Sequence, residues 1–520
     1  MNTESAAYVT TLGEPAIGWR YGSDLAIYTE RFRDGRLLAA SFVADGLPLR
    51  ERDERTDTPA FDIVIDGQSA YFGWELEGSS AGEKAVGRLR LRHTRLPVVL
   101  EITTRACGHG FFRRSMTITS TAADRSIGLT ALTPLRGTVW FMQDNLREHL
   151  QDHTLAPHSV GRFLDANWSN EGYFDWQDIP LNTEVAFGSR LGRSGHGCPF
   201  FVARNNINGG YLVGHLGWSS NWKAALHADY HDTYGRVCLR YEIRPEAAAP
   251  MRMIAPGETV HAPDVHFGLC HADLDTTIQN LHAYLRESVL TQVGDGRQPV
   301  IYNHWSYMEH EVSEPALRAE IDIAADVGAE LFIVDAGWFG NRDTPWDATT
   351  GDWQAGDRLP NDLFPVFEHA RRKGLQCGLW AEVESAGPQS RLAKEHPDWF
   401  IHRYGKPVER ILDLAKPAVA AYVESEIVRL IERYKLDLFR LDYNVGSLEG
   451  GFNTVGGQEE NTLWRQSEAI YAIFDRIRAR FPNLLLENCS AGGGRTDLGI
   501  VSRFTTTWVS DWMRPPRTVR

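Results

Sequence analysis

Lys435-Leu436-Asp437-Leu438-Phe439-Arg440-Leu441-Asp442-Tyr443-Asn444 is the stretch on which the fold turns. A helix-length segment precedes its apolar residues and the polar cluster Asp442-Tyr443-Asn444 ends them, the pattern of a buried parallel strand. Asp442 then stands at the C-terminal end of that strand, the face of an α/β barrel on which the βα loops converge. Alone, such an acid reads more simply as a strand stopping at a polar turn. Repetition changes that. Leu331-Phe332-Ile333-Val334 leads into Asp335-Ala336-Gly337-Trp338, and Cys377-Gly378-Leu379-Trp380 leads into Glu382 and Glu384. Leu484-Leu485-Leu486 leads into Glu487-Asn488-Cys489-Ser490, and Thr505-Thr506-Thr507-Trp508-Val509 into Ser510-Asp511. Successive strands with acids and aromatics just past their C-terminal ends, separated by helix-length segments, describe one ring of functional loops.

Working outward, strands and helices alternate from Pro299 on. Val300 to Trp305 is a first strand, followed by a helix with Ser313 as N-cap and Pro315 in its first turn. Helices are predicted near Leu363 to Lys373, over Pro417 to Tyr434 with Val419, Val423, Ile427, Leu430 and Ile431 as the buried stripe, and over Leu463 to Arg480. A smaller strand is expected at Arg410 to Leu414. Upstream, from about Ile17 to Gly268, period-two segments such as Val99-Leu100-Glu101-Ile102-Thr103-Thr104 and Ser115-Met116-Thr117-Ile118-Thr119 imply half-buried antiparallel strands in a large sandwich. Leu274, Ile278, Leu281 and Leu285 then switch to helical spacing. The expected architecture is therefore multidomain, β plus α/β. A large N-terminal antiparallel β-sandwich (1–272) and a helical linker (273–298) precede a (β/α)8-type barrel (299–520). Arg520 falls a few residues after the sixth strand, so the barrel is expected to be truncated there, with two unpaired edges.

The 520 residues can build cores that need no covalent staples. Six cysteines without CxxC spacing argue against a disulfide framework or a thiolate zinc site. A net charge of −14 without a basic stripe opposes nucleic-acid binding. Met1 to Ser5 carry no leader, and no apolar run approaches the length of a membrane span, so a cytoplasmic protein without membrane contact is expected. Sixteen tryptophans, among them Trp168, Trp218, Trp222, Trp305, Trp338, Trp380 and Trp512, tilt the expectation towards carbohydrate, because indole faces suit the C–H faces of sugars. Trp222 is a candidate for the rim of such a site, against ordinary packing.

Asp442 and Asp511 sit at strand ends on one face, two strands apart. Such a carboxylate pair is what glycosidic cleavage requires, one group attacking and the other donating a proton to the leaving oxygen. Arg440, two residues before Asp442, is expected to point to the same side and to favour its ionised form. The glycines of Cys489-Ser490-Ala491-Gly492-Gly493-Gly494-Arg495 lack the GKS or GKT of a phosphate cradle and are read as allowing close backbone approach to a ligand. His304 and His310 lack an HxH pair, so they are read as satisfied polar histidines, with no metal and no cofactor expected.

These motifs resemble glycoside hydrolase family 36, the family of bacterial α-galactosidases. Asp335-Ala336-Gly337-Trp338-Phe339-Gly340 looks like its DDGWFG, Gly378-Leu379-Trp380-Ala381-Glu382 like the start of its GLWFEPEM, and His396-Pro397-Asp398-Trp399 like its HPDW. Arg440-Leu441-Asp442-Tyr443-Asn444 is similar to KWDMN, Cys489 to Asp497 to CSGGGGRFD, and Trp508-Val509-Ser510-Asp511 to WTSD. The resemblance implies retaining cleavage of terminal α-linked galactose, with Asp442 as nucleophile and Asp511 as acid/base. It implies a glycone site lined by Asp335, Trp380, Arg440, Cys489 and the Gly492 and Gly493 backbone. Trp305, Trp338 and Asn444 complete the candidate sugar contacts. It also implies a C-terminal β domain after the barrel and, since relatives are often oligomers, a homo-oligomer. Departures are Ala336 for the second Asp of DDGWFG, Arg440 for its lysine, and the family's arginine before VLD, for which Arg410 is the only candidate. They keep an N-acetylgalactosaminidase, a galactosyl transferase of the raffinose-synthase type and a non-catalytic carbohydrate-binding fragment open as alternatives.

Overall fold

The computed structural model describes residues 7–13, 17–45, 58–142, 156–164, 171–230 and 237–511. Among these, the N-terminal part holds a ten-stranded antiparallel sheet and three four-stranded ones. Strand Val98–Gly108 pairs with Phe111–Ser120 along its length, and inward residues alternate with outward ones on both, so the period-two pattern becomes a half-buried sheet. Between the sheets lies a continuous core that includes Trp19, Tyr28, Leu100, Ile102, Phe112, Met116, Ile118, Trp140 and Phe267. One ion pair, Arg114 with Glu30, is sealed inside it.

The period change after Cys270 produces helix α1, Leu274–Ser288, whose N-cap Asp273 accepts from the Thr276 amide at 2.7 Å. Helix α1 lies on the large sheet. Its Tyr284 stacks on Phe111 with ring centroids 5.1 Å apart and planes 2° from parallel.

Six parallel strands follow: β1 Ile301–Asn303, β2 Leu331–Val334, β3 Gln376–Ala381, β4 Leu438–Leu441, β5 Leu485–Asn488 and β6 Thr506–Thr507. Their order in the sheet is their order in the chain. With no reversal of strand order there is no switch point, so this is the arc of a barrel rather than a doubly wound sheet. Among the described residues the arc has six strands and does not close, the incomplete (β/α)8 expected. The strand around Asp442 is shorter than the apolar run, only Leu438–Leu441, all four residues buried. Four helices pack outside: α2 Glu314–Asp326, α3 Phe364–Arg372, α4 Pro417–Tyr434 and α5 Thr462–Arg480. Ser313 caps α2 by accepting from the Ala316 amide, and every stripe residue expected on α4 is buried. The small strand near Arg410 is not part of the arc. It extends over Lys406–Leu412 and forms a hairpin with Phe400–Arg403, because the segment before it folds back antiparallel.

Candidate functional site

The register of the arc builds the site. Trp380 pairs with Arg440 across β3 and β4, and Arg440 pairs with Glu487 across β4 and β5. Side chains two residues apart on a strand share a face, so Arg440 continues the inward side of Leu438, which packs with Leu331 and Ile333 inside the barrel. Asp335 follows Ile333 on that side. One inward layer therefore carries Asp335, Trp380, Arg440 and Glu487, and the next layer towards the rim carries Glu382, Asp442 and Cys489.

In the lower layer the Arg440 guanidinium donates to Asp335 Oδ2 at 2.7 Å and to Glu487 Oε1 at 2.9 Å, and lies 4.1 Å from the Trp508 ring centroid. These two carboxylates hold its charge, with burial opposing them. Asp335 also accepts from Asn303 Nδ2 at 2.6 Å and from the Ala336 amide at 2.8 Å. Its own amide donates to His304 Nε2 at 2.9 Å. That fixes His304 as the neutral tautomer with its proton on Nδ1, and burial pushes its pKa down to about 4.

In the upper layer Asp442 Oδ2 accepts from Trp380 Nε1 at 2.9 Å and from Asn444 Nδ2 at 3.0 Å. Oδ1 accepts from the Tyr443 and Ala491 amides at 2.8 and 3.1 Å. Four donors from three segments leave this carboxylate one orientation. Asp511, past β6, accepts from Trp508 Nε1 at 2.9 Å. The turn after β5 joins the two acids. Its Ala491 amide is on Asp442, and a Cβ built on Gly492 would lie 3.1 Å from the Asp511 amide nitrogen. Cys489 lies in the field of both, and burial with those two negative charges drives its thiol pKa well up. Both carboxylates thus stand on the C-terminal rim of the same arc.

A family profile described as Melibiase matches residues 259–517. Alpha-galactosidase AgaA of Geobacillus stearothermophilus is 28% identical over 361 residues, 67% of this chain and 49% of that protein. Alpha-galactosidase Mel36A of Lactobacillus acidophilus is 30% identical over 357 residues, 66% of this chain and 48% of its own. The chain belongs to glycoside hydrolase family 36, the melibiase family. A crystal structure of an AgaA variant with 1-deoxygalactonojirimycin superposes with a TM-score of 0.81, at 20% identity, covering 96% of this chain and 76% of that one. At that identity the match speaks for the fold. This family 36 chain spans about half the length of the curated relatives it matches.

Several side chains of the family 36 motifs are placed differently from the expectation. Arg440 does not pair with Asp442; its guanidinium is taken by Asp335 and Glu487 one layer below, because register sets those carboxylates beside it. Trp338 is fully buried and donates to the Trp380 carbonyl at 3.0 Å, so it supports Trp380 from behind instead of offering a face. Trp305 is half-buried in an aromatic chain with Trp346, which in turn meets Trp380 edge-on. The close approach that Gly492 and Gly493 permit is to the protein itself. A Cβ on Gly492 would lie 2.4 Å from Glu171 Oε1 and 3.0 Å from Ser510 Cα, and one on Gly493 2.9 Å from the Val509 carbonyl. Trp222 is buried in the sandwich and donates to the Ser194 carbonyl, the ordinary packing alternative. Arg410 turns to the Asp347 carbonyl at 2.6 Å. His310 pairs with Glu311. Trp168 and Trp512 lie outside the described residues.

Three residues were given no role from the sequence. Glu487 and Glu382 stood out only as acids at strand ends, and counting in twos from Arg440 and Asp442 across aligned strands would have set them beside those residues. Glu171 carries no local signal: it comes from the N-terminal part, and its Oε2 accepts from Ser510 Oγ at 2.9 Å, next to Asp511.

Proposed function

We propose that this chain carries the catalytic centre of a retaining glycosidase acting on terminal α-linked galactose in oligosaccharides or glycosides. One observation carries the reading: Asp442, immobilised by four donors, shares the rim of one barrel with Asp511, and the Cys489 to Gly494 turn touches both. In the first step Asp442 attacks the anomeric carbon as Asp511 gives its proton to the departing oxygen, forming a glycosyl ester and a free alcohol. In the second, Asp511 takes a proton from water, and the attacking oxygen displaces Asp442 with overall retention. Asp335, Trp380, Arg440, Asn444 and Cys489 line the space around the reacting centre, with the glycine turn behind them. AgaA structures hold stachyose and raffinose, which supports galactosyl oligosaccharides as the substrate class here. Six unpaired cysteines suit the cytoplasm we propose as its compartment, and a homo-oligomer is part of the same reading.

The decisive experiment is Asp442→Ala assayed on 4-nitrophenyl α-glycosides with and without azide. Expected is loss of turnover with α-galactoside, restored in part by azide and yielding the β-glycosyl azide. Undiminished hydrolysis by the variant would end the proposal.

A further inference from the structure

Glu382 is the buried acid that the two-carboxylate mechanism leaves unused. It occupies the rim layer beside Asp442, fixed there by the register of β3 against β4, and it is 2% exposed. The Asn444 side chain binds both acids with one nitrogen: Nδ2 donates to Glu382 Oε2 at 2.8 Å and to Asp442 Oδ2 at 3.0 Å. Both N–H bonds of that amide are thereby used, one for each carboxyl. On its other side, Glu382 Oε1 lies 2.5 Å from Ser385 Oγ, a contact in which a protonated Oε1 can equally be the donor.

We propose that Glu382 is a positioning residue that keeps its proton while Asp442 is ionised, and that through Asn444 it holds the Asp442 carboxylate in its attacking orientation. This rests on the reading of Asp442 as nucleophile. With one proton between them, the pair presents a single negative charge to the anomeric carbon. Two buried carboxylates sharing one amide cannot both ionise without repulsion.

The charges around Glu382 fit that assignment. Burial raises its pKa most, the negative charge of Asp442 adds to it, and the Ser385 and Asn444 hydrogen bonds and the Arg410 charge oppose, leaving it at about 7. Arg410 itself is directed at the Asp347 carbonyl, and the neighbouring Glu384 is neutralised by Arg495 at 2.7 Å. Asp442 is thus the acid that faces it, and its charge adds to the burial that keeps the proton on Glu382.

The test is the pH profile of kcat/KM on an aryl α-galactoside whose leaving group is too good to need a proton from Asp511. For the native chain it should fall about tenfold per pH unit above about pH 7. Glu382→Gln, which mimics the protonated acid, should cost less than about tenfold at acidic pH and remove that alkaline limb. A variant that keeps the native break overturns the proposal. Infrared difference spectroscopy gives a readout without turnover. At about pH 6 the native chain should show a buried carboxylic-acid band that Glu382→Gln lacks. An unchanged band pattern overturns the proton assignment even if no glycoside is hydrolysed, whereas a lost band with no turnover upholds it and sinks only the functional reading.

Discussion

Arg440 stands where the family motif has lysine, and the structure shows what the exchange entails. A planar guanidinium can serve two carboxylates at once, and here it bridges Asp335 and Glu487 while lying over Trp508. All three charged side chains are at most 6% exposed, so their mutual compensation is what makes burial tolerable. Arg440→Met would leave two buried acids without their cation. Breaking such a group by removing one partner costs about 3–5 kcal/mol. Chemical denaturation of the variant should show that loss, and a midpoint within error of the native one would mean the pair is not buried as described.

At the scale of elements, the turn after β5 couples the two candidate catalytic acids, and its glycines serve chain crossing. Gly492 has φ of 78°, and its missing side chain leaves room for Glu171, Ser510 and Asp511. Gly492→Ala adds a methyl to a left-handed residue and drives it into those neighbours. Gly405 is a fair control: it has φ of 75° with nothing within 4 Å of a built Cβ. Gly405→Ala should show only the backbone strain, about 1 kcal/mol. Gly492→Ala should exceed it by about 1–3 kcal/mol in thermal unfolding and lose most kcat through displacement of Asp511. Equal effects of the two substitutions would show that Glu171 and the Asp511 segment do not press on the turn.

Over the whole molecule, the N-terminal part is bound to the barrel by buried polar contacts. Asp497 accepts from Ser194 and Ser219, Arg193 donates to the Tyr443 carbonyl and to Ser490, and Glu171 reaches Ser510. Stability is also tied to pH through buried histidines in both parts. Burial lowers His158, His215 and His266 to about 3 and His304 to about 4. These imidazoles are neutral in the fold, while the unfolded chain binds protons below about pH 6.5. Their contribution is therefore complete above that value and is lost as pH falls to about 4 for His304 and about 3 for the other three, by up to about 1.4 kcal/mol per pH unit each. Glu382 and Asp497, both shifted upward chiefly by burial, work in the opposite direction, but they are two groups against four. The urea midpoint should drop steeply between about pH 6.5 and 4.5, and His158→Phe should flatten the slope. A midpoint independent of pH in that range would contradict the burial of these rings.

Fold class was legible because burial has a period. Alternation in Val98–Gly108, the 3.6-residue stripe of α4 and the acids that end apolar runs all report which face is covered, a local property that the order of residues records. The strand-end positions of Asp442 and Asp511 were legible for the same reason, since a strand's C-terminal end is a position in the chain. The partner of a side chain is not such a position. Arg440 met Asp335 and Glu487 rather than Asp442, Trp338 turned inward, and Glu171 arrived from the N-terminal part, because register between strands and the docking of one part on the other set those contacts. Sequence determined the strands, the helices and the rim that bears the acids. Only the tertiary structure decided which charge neutralises which, since that depends on distances through space between residues far apart along the chain.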